Sequence, residues 1–378
     1  MLNAETIGRD AKWWLVAAAV AAAVAFALAR RGDDRPLVLA GETMGTTYRV
    51  VLGDFEGGVE IPPGGDPEEV LRAAAEAVAA DALAAVNAAF NTYDPASDLA
   101  RFNAAPAGEP VPVAAETVQL VRRAFDLSAA TGGAFDPTVG PLVRRWQFGP
   151  GRGRLEVPTE AETDALLARV GTALVEVGKG TLTKRADGVE LDLSAMAKGH
   201  GVDRVSAALA DAGFPASLTE IGGELAARGA KPDGSPWRVS VMNPRDPFSP
   251  AARGEPRPLR DAGMATSGDY FNFHEVDGRR YGHTLDPRTG RPVTHELAAV
   301  TVVAPDCATA DALATALMVM GPTEGYDWAE AHDVAAVFTA ADGAVRQTPC
   351  HAAWKDAGEL SCRPSLSPPA SRPSSSAG

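Results

Sequence analysis

The chain has 378 residues, 46% of them hydrophobic and 22% charged, which is enough for one large globular domain or two smaller ones. Its formal net charge of −14 argues against a nucleic-acid partner, because phosphate backbones are bound by clustered Lys and Arg. A nucleotide cofactor is compatible with this charge, since a bound metal ion supplies positive charge locally.

An uncharged stretch at residues 13–29 follows a polar flank at residues 1–12. Its length is at the short end for a membrane span. A cleaved signal peptide is the alternative, with Ala27-Leu28-Ala29 as the cleavage site. Because Arg30 and Arg31 follow that site, we expect an uncleaved anchor. Basic residues lie on both sides, so charge does not decide its orientation.

From about residue 41 the pattern becomes globular, and strands and helices are mixed without regular alternation, which favours an α+β fold. Strands are predicted in the segments TTYRVVL, GVELDLS, ASLTEI, ELAARGA and LAAVTVVAP. Helices are predicted at residues 67–91, in VAAETVQLVRRAFDLSAA and in TEAETDALLARV. The Pro/Ser-rich end, residues 363–378, is predicted to be disordered.

The segment DCATADALATALMVMG, residues 306–321, predicts a helix with Asp311 and Thr315 one turn apart. Leu313, Leu317 and Met320 fall on the roughly opposite face and would anchor it in a core. One interpretation is structural, with Thr309 capping the helix and Asp311 favouring the helix dipole. The other is a site for a hard cation such as Mg²⁺, which prefers oxygen ligands.

Two further segments combine backbone freedom with polar side chains. In TGGAFDPTVGPL, residues 131–142, the glycines permit close backbone approach to a flat heterocycle, although a helix end and a turn explain them equally well. In LDLSAMAKGHGVDRV, residues 191–205, Ser194 is expected to cap a helix whose first turns carry Lys198, an arrangement that attracts phosphate. Gly199 and Gly201 inside that helix indicate close packing or ligand binding.

Two aromatic side chains are weaker candidates. His283, just before the DPRTG turn, is a possible general base, although a lone histidine is more often structural. Tyr93, after a helix and before an Asp-Pro turn, can stack on an aromatic ligand, but core packing is its default interpretation.

Several signatures are absent from the sequence. It has no Walker A loop, no dinucleotide-binding G-x-G-x-x-G, no H-E-x-x-H and no G-x-S-x-G. The cysteines are Cys307, Cys350 and Cys362, and no pair has the spacing of zinc ligands. Cys350 and Cys362 form either a disulfide, in an oxidising compartment, or two inert thiols.

In order along residues 41–345, the segments ETMGTTYRV, NTYDPASDLARFN, TGGAFDPTVGPLV, LDLSAMAKGHGVDRV, EIGGEL, ATSGDY, GHTLDPRTGRPV and VTVVAPDCATADALATALMVMG resemble the ApbE family of FAD:protein FMN transferases. The resemblance implies an ApbE-like flavin transferase fold, with mixed or antiparallel sheets and packed helices in a single large catalytic domain behind the N-terminal membrane segment. It also implies cleavage of FAD with Mg²⁺ and attachment of FMN to a Thr hydroxyl of a target protein, with release of AMP.

The resemblance assigns roles to individual positions. His283 is the candidate base, and Asp311 is both a catalytic residue and a metal ligand. The metal ligands are Ala195, through its carbonyl oxygen, Asp311 and Thr315. The FAD-binding residues are Met44, Tyr93, Ala134, Phe135, Asp136, Asp192, Lys198 and Leu285.

Other activities use the same residues. One alternative is a Mg²⁺-dependent FAD pyrophosphatase that gives FMN and AMP, and another is a flavin-binding protein without turnover. The sequence departs from the usual family pattern at His200, where Tyr is common, and at Gly282 and Thr284 beside His283. The expected partner is a separate acceptor protein, a membrane redox subunit. Family members usually act outside the cytoplasmic membrane, so the domain is expected to face the periplasm or cell exterior.

Overall fold

The structure is a computed structural model that describes residues 36–366 apart from 54, 58, 60, 150–153, 242–254, 269–272 and 358. The predicted membrane segment at 13–29 and all but the first four residues of the 363–378 tail lie outside the described residues. Ordered elements extend on both sides of the predicted 41–345 domain, whose boundaries stay a prediction.

The strands are β1 Leu37–Thr43, β2 Thr46–Leu52, β3 Val111–Pro112, β4 Val175–Val177, β5 Thr181–Lys184, β6 Ser217–Ile221, β7 Glu224–Arg228, β8 Trp237–Val239, β9 Arg257–Leu259, β10 Ala262–Gly268, β11 Phe273–Val276, β12 Arg279–Gly282, β13 Leu285–Asp286, β14 Arg291–Pro292, β15 Leu297–Ala304, β16 Ala335–Ala340 and β17 Val345–Gln347. The helices are α1 Pro67–Phe90, α2 Asp98–Ala104, α3 Ala115–Ala130, α4 Gly140–Arg145, α5 Glu160–Leu167, α6 Ser194–Asp211, α7 Cys307–Ala331 and α8 Pro349–Ala357, with a 3₁₀ turn at Thr172–Leu174.

An eight-stranded sheet in the order β1-β2-β6-β7-β10-β15-β16-β17 forms the centre of the fold. Every neighbouring pair in it is antiparallel. Smaller sheets are formed by β3-β5-β4, β8-β9, β11-β12 and β13-β14. This architecture confirms the predicted α+β class with antiparallel sheets and packed helices.

Both faces of the sheet are covered, which explains why β15 is almost entirely apolar. Val300 and Val302 pack into the same cluster as Leu313 and Leu317 of α7. Val303, on the other face, packs in a cluster with apolar side chains from β8, β9 and α8. The central strands therefore pack against the N-terminal half of α7 and hold it in position.

Helices α6 and α7 approach so closely that a side chain does not fit between them at Gly199. A Cβ atom at this position would lie 2.4 Å from the carbonyl oxygen of Cys307. This contact confirms the expectation that a packing constraint explains glycine inside α6, at the usual cost of about 1 kcal/mol in helix propensity. It also brings the first turns of α6 and α7 side by side.

Among the described residues, α1 is the helix that is long and apolar enough to cross a membrane. Its composition alone is weak evidence of membrane association, because Ala75, Ala79 and Val86 are fully buried in the protein core. A buried helix of a globular domain has the same length and composition.

Cys350 and Cys362 form a disulfide, the first of the two alternatives that the sequence left open. It ties α8 to the segment that follows it. Cys307 is a buried free thiol at the start of α7.

His351 of α8 is expected to make the fold sensitive to acid. Burial, reinforced by the positive charges of Lys355 and Arg257, lowers the pKa of His351 to about 4. The unfolded chain binds this proton near pH 6.5, so unfolding takes up a proton between the two pKa values. The free energy of unfolding should therefore fall by roughly 2 kcal/mol between about pH 7 and about pH 4.5 through this residue alone.

Substituting His351→Asn tests this expectation, because Asn does not titrate and keeps an N–H for the Oε1 atom of Gln347, which lies 3.3 Å from the Nδ1 atom of His351. Urea unfolding of the parent and the variant at both pH values measures the difference. An identical pH dependence in the two proteins would show that His351 is not the responsible group.

Candidate functional site

A cavity of about 620 Å³ opens where α6, α7, β7, β10 and the segment around His283 meet. Ten of the twelve residues that the sequence assigned to a site line it: Ala134, Phe135, Asp136, Asp192, Ala195, Lys198, His283, Leu285, Asp311 and Thr315. They come from four segments that are far apart in the chain. The fold therefore brings the predicted phosphate, metal and flavin positions to one place.

The first turns of α6 contribute Ala195 and Lys198. Leu191 and Leu193 are buried, as the sequence predicts, and hold the segment before the helix against the core. That segment is not a strand, since only Glu190 forms an isolated bridge there. Ser194 is not the N-cap but the first helical residue, and its N–H donates to Oδ1 of Asp192 at 2.8 Å. The side chain of Asp192 therefore stabilises the start of α6, the role that the sequence predicted for Ser194.

Helix α7 contributes Asp311 and Thr315. Its N-cap is Asp306, which accepts a hydrogen bond from the N–H of Thr309 at 2.8 Å, so the predicted capping role of Thr309 is wrong. The sequence could not separate these neighbours because both side chains suit a cap. Gly321, with φ of 83°, ends the regular first part of the helix before Pro322.

Asp311 lies in the interior, where its Oδ2 atom accepts a hydrogen bond from the N–H of Gly199 at 3.1 Å. Thr315, one turn later, has its Oγ1 atom 3.0 Å from Oγ of Ser267 on β10. These two contacts fix the Asp311/Thr315 stripe against α6 on one side and against the sheet on the other. The close approach at Gly199 is what allows the first contact.

Lys198 and Glu224, which both line the cavity next to Asp311, form an ion pair. The Nζ atom of Lys198 lies 2.7 Å from Oε1 of Glu224, whose side chain is only 4% exposed. Burial, followed by the negative charge of Asp311, raises the pKa of Glu224 to about 8. Burial also raises the pKa of Asp311, against the opposing effect of the Lys198 ammonium group. Burial lowers the pKa of Lys198, but the two carboxylates more than offset it.

This charge arrangement fits a divalent cation. Two buried carboxylates face one ammonium group, which leaves uncompensated negative charge when both are ionised. A carboxylate, a hydroxyl and the main chain of Ala195 border the same cavity, and hard cations prefer such oxygen donors. Among the described residues there is no cluster of three or more His, Cys, Asp or Glu, so a transition-metal site of that type is not indicated there.

The opposite wall is largely apolar and suits a flat ring system. Ala134 and Phe135 are buried after the Gly132-Gly133 turn, and Phe148 and Leu285 border the same space. Asp136 accepts hydrogen bonds from the N–H and the hydroxyl of Thr138, while burial raises the pKa of its carboxyl. Main-chain atoms and one carboxyl group thus provide the polar contacts of this wall.

His283 lies between β12 and β13 at the edge of the cavity. Its ring meets the ring of Phe148 edge-on, with 6.3 Å between centroids. His283, Lys198 and Asp311 therefore line the same cavity, so the imidazole lies where a base can act on a molecule bound there.

Met44 and Tyr93 are the two assigned residues that do not line the cavity. Met44 is in the β1–β2 turn, with φ of 50°, and packs against the hydrophobic core. Tyr93 is 70% exposed, so its default interpretation as a core residue is wrong. Their assignment to FAD binding stays a prediction.

Glu224 and Ser267 border the cavity but were not assigned from the sequence. Both belong to segments, EIGGEL and ATSGDY, that contributed to the family resemblance. The sequence signal for Glu224 was the Gly222-Gly223 turn that precedes it. The φ values of these glycines, 59° and 104°, favour glycine, and Glu224 borders the cavity directly after the turn. The local sequence does not indicate that Glu224 forms an ion pair with Lys198, which lies 26 residues earlier.

Sequence and structure comparisons point to one family. The sequence model of the ApbE family matches residues 44–338. The chain is 39% identical over 325 residues to the FAD:protein FMN transferase of Vibrio cholerae serotype O1, covering 85% of this chain and 91% of that protein. It is 36% identical over 327 residues to the FAD:protein FMN transferase of Haemophilus influenzae, covering 85% and 91%.

A solved structure has the same fold. The apo form of the flavinyl transferase ApbE from Pseudomonas stutzeri superimposes with a TM-score of 0.73 at 38% sequence identity, covering 85% of this chain and 97% of that one. The extent and identity of these matches establish the relationship. The chain therefore belongs to the ApbE family, and it is an enzyme.

Proposed function

We propose that the enzyme transfers FMN from FAD to a threonine hydroxyl of a target protein, with Mg²⁺, and releases AMP. The observation that carries this proposal is that one cavity gathers an apolar wall, the half-buried Lys198 and an oxygen-rich stripe. The names of the relatives from Vibrio cholerae and Haemophilus influenzae support flavin transfer.

The residues of the chain divide the work of binding FAD. The apolar wall around Phe135 and Leu285 accepts the isoalloxazine ring and excludes water from it. Lys198, held by Glu224, offers its ammonium group to the phosphates from the first turns of α6. Because the chain has a net charge of −14, the positive charge of Lys198 favours the binding of a substrate with two phosphates.

Ala195, Asp311 and Thr315 would hold Mg²⁺, through a carbonyl, a carboxylate and a hydroxyl oxygen. When bound, the ion would neutralise charge on the phosphate oxygens and on the leaving group. Gly199 and Ser267 keep the Asp311/Thr315 stripe in place through the hydrogen bonds described above.

The transfer step forms one bond and breaks one. The threonine oxygen of the target attacks the phosphorus on the FMN side of the pyrophosphate, and the bond from that phosphorus to the bridging oxygen breaks, so that oxygen leaves with AMP. His283 accepts the proton that the threonine hydroxyl loses.

A direct test is incubation with FAD, Mg²⁺ and a flavin-accepting target protein, followed by denaturing gel electrophoresis. Transfer gives a fluorescent band at the mass of the target. Free FMN and AMP without a labelled band would instead identify the pyrophosphatase, in which water replaces the threonine. FAD that stays intact would identify a flavin-binding protein without turnover.

Substituting His283→Asn is expected to lower kcat for transfer by about 10²- to 10⁴-fold, because the Asn side chain has no ring nitrogen that accepts a proton. The KM for FAD should change little, since the phosphate and flavin contacts remain. Steady-state kinetics at saturating target protein measure both values. A kcat close to the parent value would remove His283 from the role of base.

The acceptor is proposed to be a separate membrane redox subunit, reached by a catalytic domain that residues 13–29 anchor to the outer face of the cytoplasmic membrane. The Cys350–Cys362 disulfide supports an oxidising compartment. Protease treatment of intact spheroplasts tests the location. Digestion of the catalytic domain is expected, and complete protection would contradict an outward-facing domain.

A further inference from the structure

Glu224 carries a buried oxygen atom that none of the described residues satisfies. Its Oε1 atom pairs with Lys198, whereas its Oε2 atom is buried and has no hydrogen-bond partner in the part of the chain that the structure describes. Buried carboxylate oxygens are rarely left in this state, because a buried acceptor without a partner has lost its hydrogen bonds to water and gained none in return. A bound molecule can therefore supply the partner that this oxygen lacks among residues 36–366 as described.

The position of Glu224 shows where that partner comes from. The residue starts β7 directly after the Gly222-Gly223 turn and borders the same cavity as Lys198, Asp311 and His283. Its side chain is 4% exposed, so bulk water does not solvate the free oxygen. A molecule that fills the cavity lies against this side chain, because Glu224 is one of the residues that line the cavity.

In the ionised form, which pairs with the Lys198 ammonium group, the carboxylate oxygens accept hydrogen bonds and donate none, so among the groups of FAD the partner of Oε2 must be a donor. Of the parts of FAD, the phosphates carry only acceptors, whereas the sugar chains on either side of them carry hydroxyl donors. Lys198, which Glu224 holds, is the group suited to the phosphates. Glu224 therefore lies where a hydroxyl next to the pyrophosphate would be expected.

We propose that Glu224 is a substrate-binding residue of this enzyme, with Oε1 fixing Lys198 and Oε2 accepting a hydrogen bond from a sugar-chain hydroxyl of FAD. This inference rests on the proposed function, because it takes FAD as the ligand of the cavity. It explains why a second buried carboxylate is kept beside Lys198 and Asp311. It also links recognition of the sugar chain to the placement of the phosphate-binding lysine.

The test measures binding in EDTA without a target protein, so that neither transfer nor metal-dependent cleavage contributes. FAD affinity is read from flavin fluorescence, and inorganic pyrophosphate, which has no sugar hydroxyl, serves as a competitor. In Glu224→Gln the side chain keeps its shape and an acceptor for Lys198 but presents an N–H₂ donor in place of Oε2. We expect FAD to bind about ten- to hundredfold more weakly while pyrophosphate binds as before.

Two further variants complete the experiment. Glu220→Gln is the matched control, because Glu220 lies at the other end of the same turn, where its Oε1 atom accepts the N–H of Gly223 at 2.7 Å. Its FAD affinity should equal that of the parent. Lys198→Met should weaken FAD and pyrophosphate together, which a loss of the hydroxyl contact alone does not do.

Three outcomes decide between the interpretations. Unchanged FAD affinity in Glu224→Gln overturns the proposal, and so does an equal loss for FAD and pyrophosphate, which would give Glu224 only the role of positioning Lys198. A parent protein that binds FAD neither in EDTA nor with Mg²⁺ would instead refute the proposed function. Thermal unfolding of each variant shows whether a loss of binding reflects a loss of fold.

Discussion

Substituting Asp311→Asn is expected to lower the rate of FMN transfer by at least about a hundredfold and to weaken the response to Mg²⁺. The change removes the only carboxylate of the proposed ligand set. Asn keeps an acceptor for the N–H of Gly199, which contacts Asp311 at 3.1 Å, so the helix contact should survive. The rate is measured as a function of Mg²⁺ concentration with a fluorescent gel readout.

The matched control is Asp327→Asn, an exposed carboxylate in the later part of the same helix. It should leave both the rate and the Mg²⁺ dependence unchanged. Binding of Mn²⁺, followed by electron paramagnetic resonance in the absence of FAD, adds a readout that does not depend on turnover. Parent-like turnover and Mn²⁺ binding in Asp311→Asn would remove the metal hypothesis.

Substituting Gly199→Ala should destabilise the fold by about 1–3 kcal/mol and also reduce activity. The new Cβ would lie 2.4 Å and 2.7 Å from the carbonyl oxygen and carbon of Cys307, and 2.9 Å from Cα of Ala308. These are backbone atoms of a buried helix, which cannot rotate away as a side chain does. The two helices would have to separate, which would lengthen the contact between Gly199 and Asp311. Urea unfolding and transfer kinetics measure the two effects.

Gly201→Ala is the matched control, two residues along the same helix. Its Cβ would meet only the ends of flexible side chains, 3.3 Å from Cδ1 of Ile221 and 3.4 Å from Sδ of Met44. The gain in helix propensity, about 1 kcal/mol, should largely offset this crowding. Equal stability losses in the two variants would show that the approach of α6 to α7 is not the constraint at Gly199.

The local sequence predicted those features that depend on neighbouring residues. Alternating side chains predicted β2 at Thr46–Leu52 and the β6–β7 hairpin around Gly222-Gly223, because strand periodicity and turn chemistry act over a few residues. Helix periodicity likewise predicted α1 and placed Asp311 one turn from Thr315. Capping was less well predicted, since adjacent polar residues compete for the same backbone N–H groups.

The order of the motifs along the chain gave information about family and site residues that periodicity does not contain. It identified the family and named ten residues that the structure gathers in one cavity. It assigned no role to Glu224 or Ser267, whose partners Lys198 and Thr315 lie 26 and 48 residues away in the chain. A contact across such separations has no local pattern, so a single sequence does not reveal it.

The amino-acid sequence by itself determined several of the helices and strands, the α+β class and the residue types available for binding phosphate, metal and flavin. Only the tertiary structure decided that Lys198 meets Glu224 and that Gly199 brings α6 against α7. It also decided that Tyr93 faces solvent instead of packing in the core. The reason is physical: propensity and periodicity act over one or two turns, whereas burial and ion pairing depend on which distant segments the antiparallel sheet brings together.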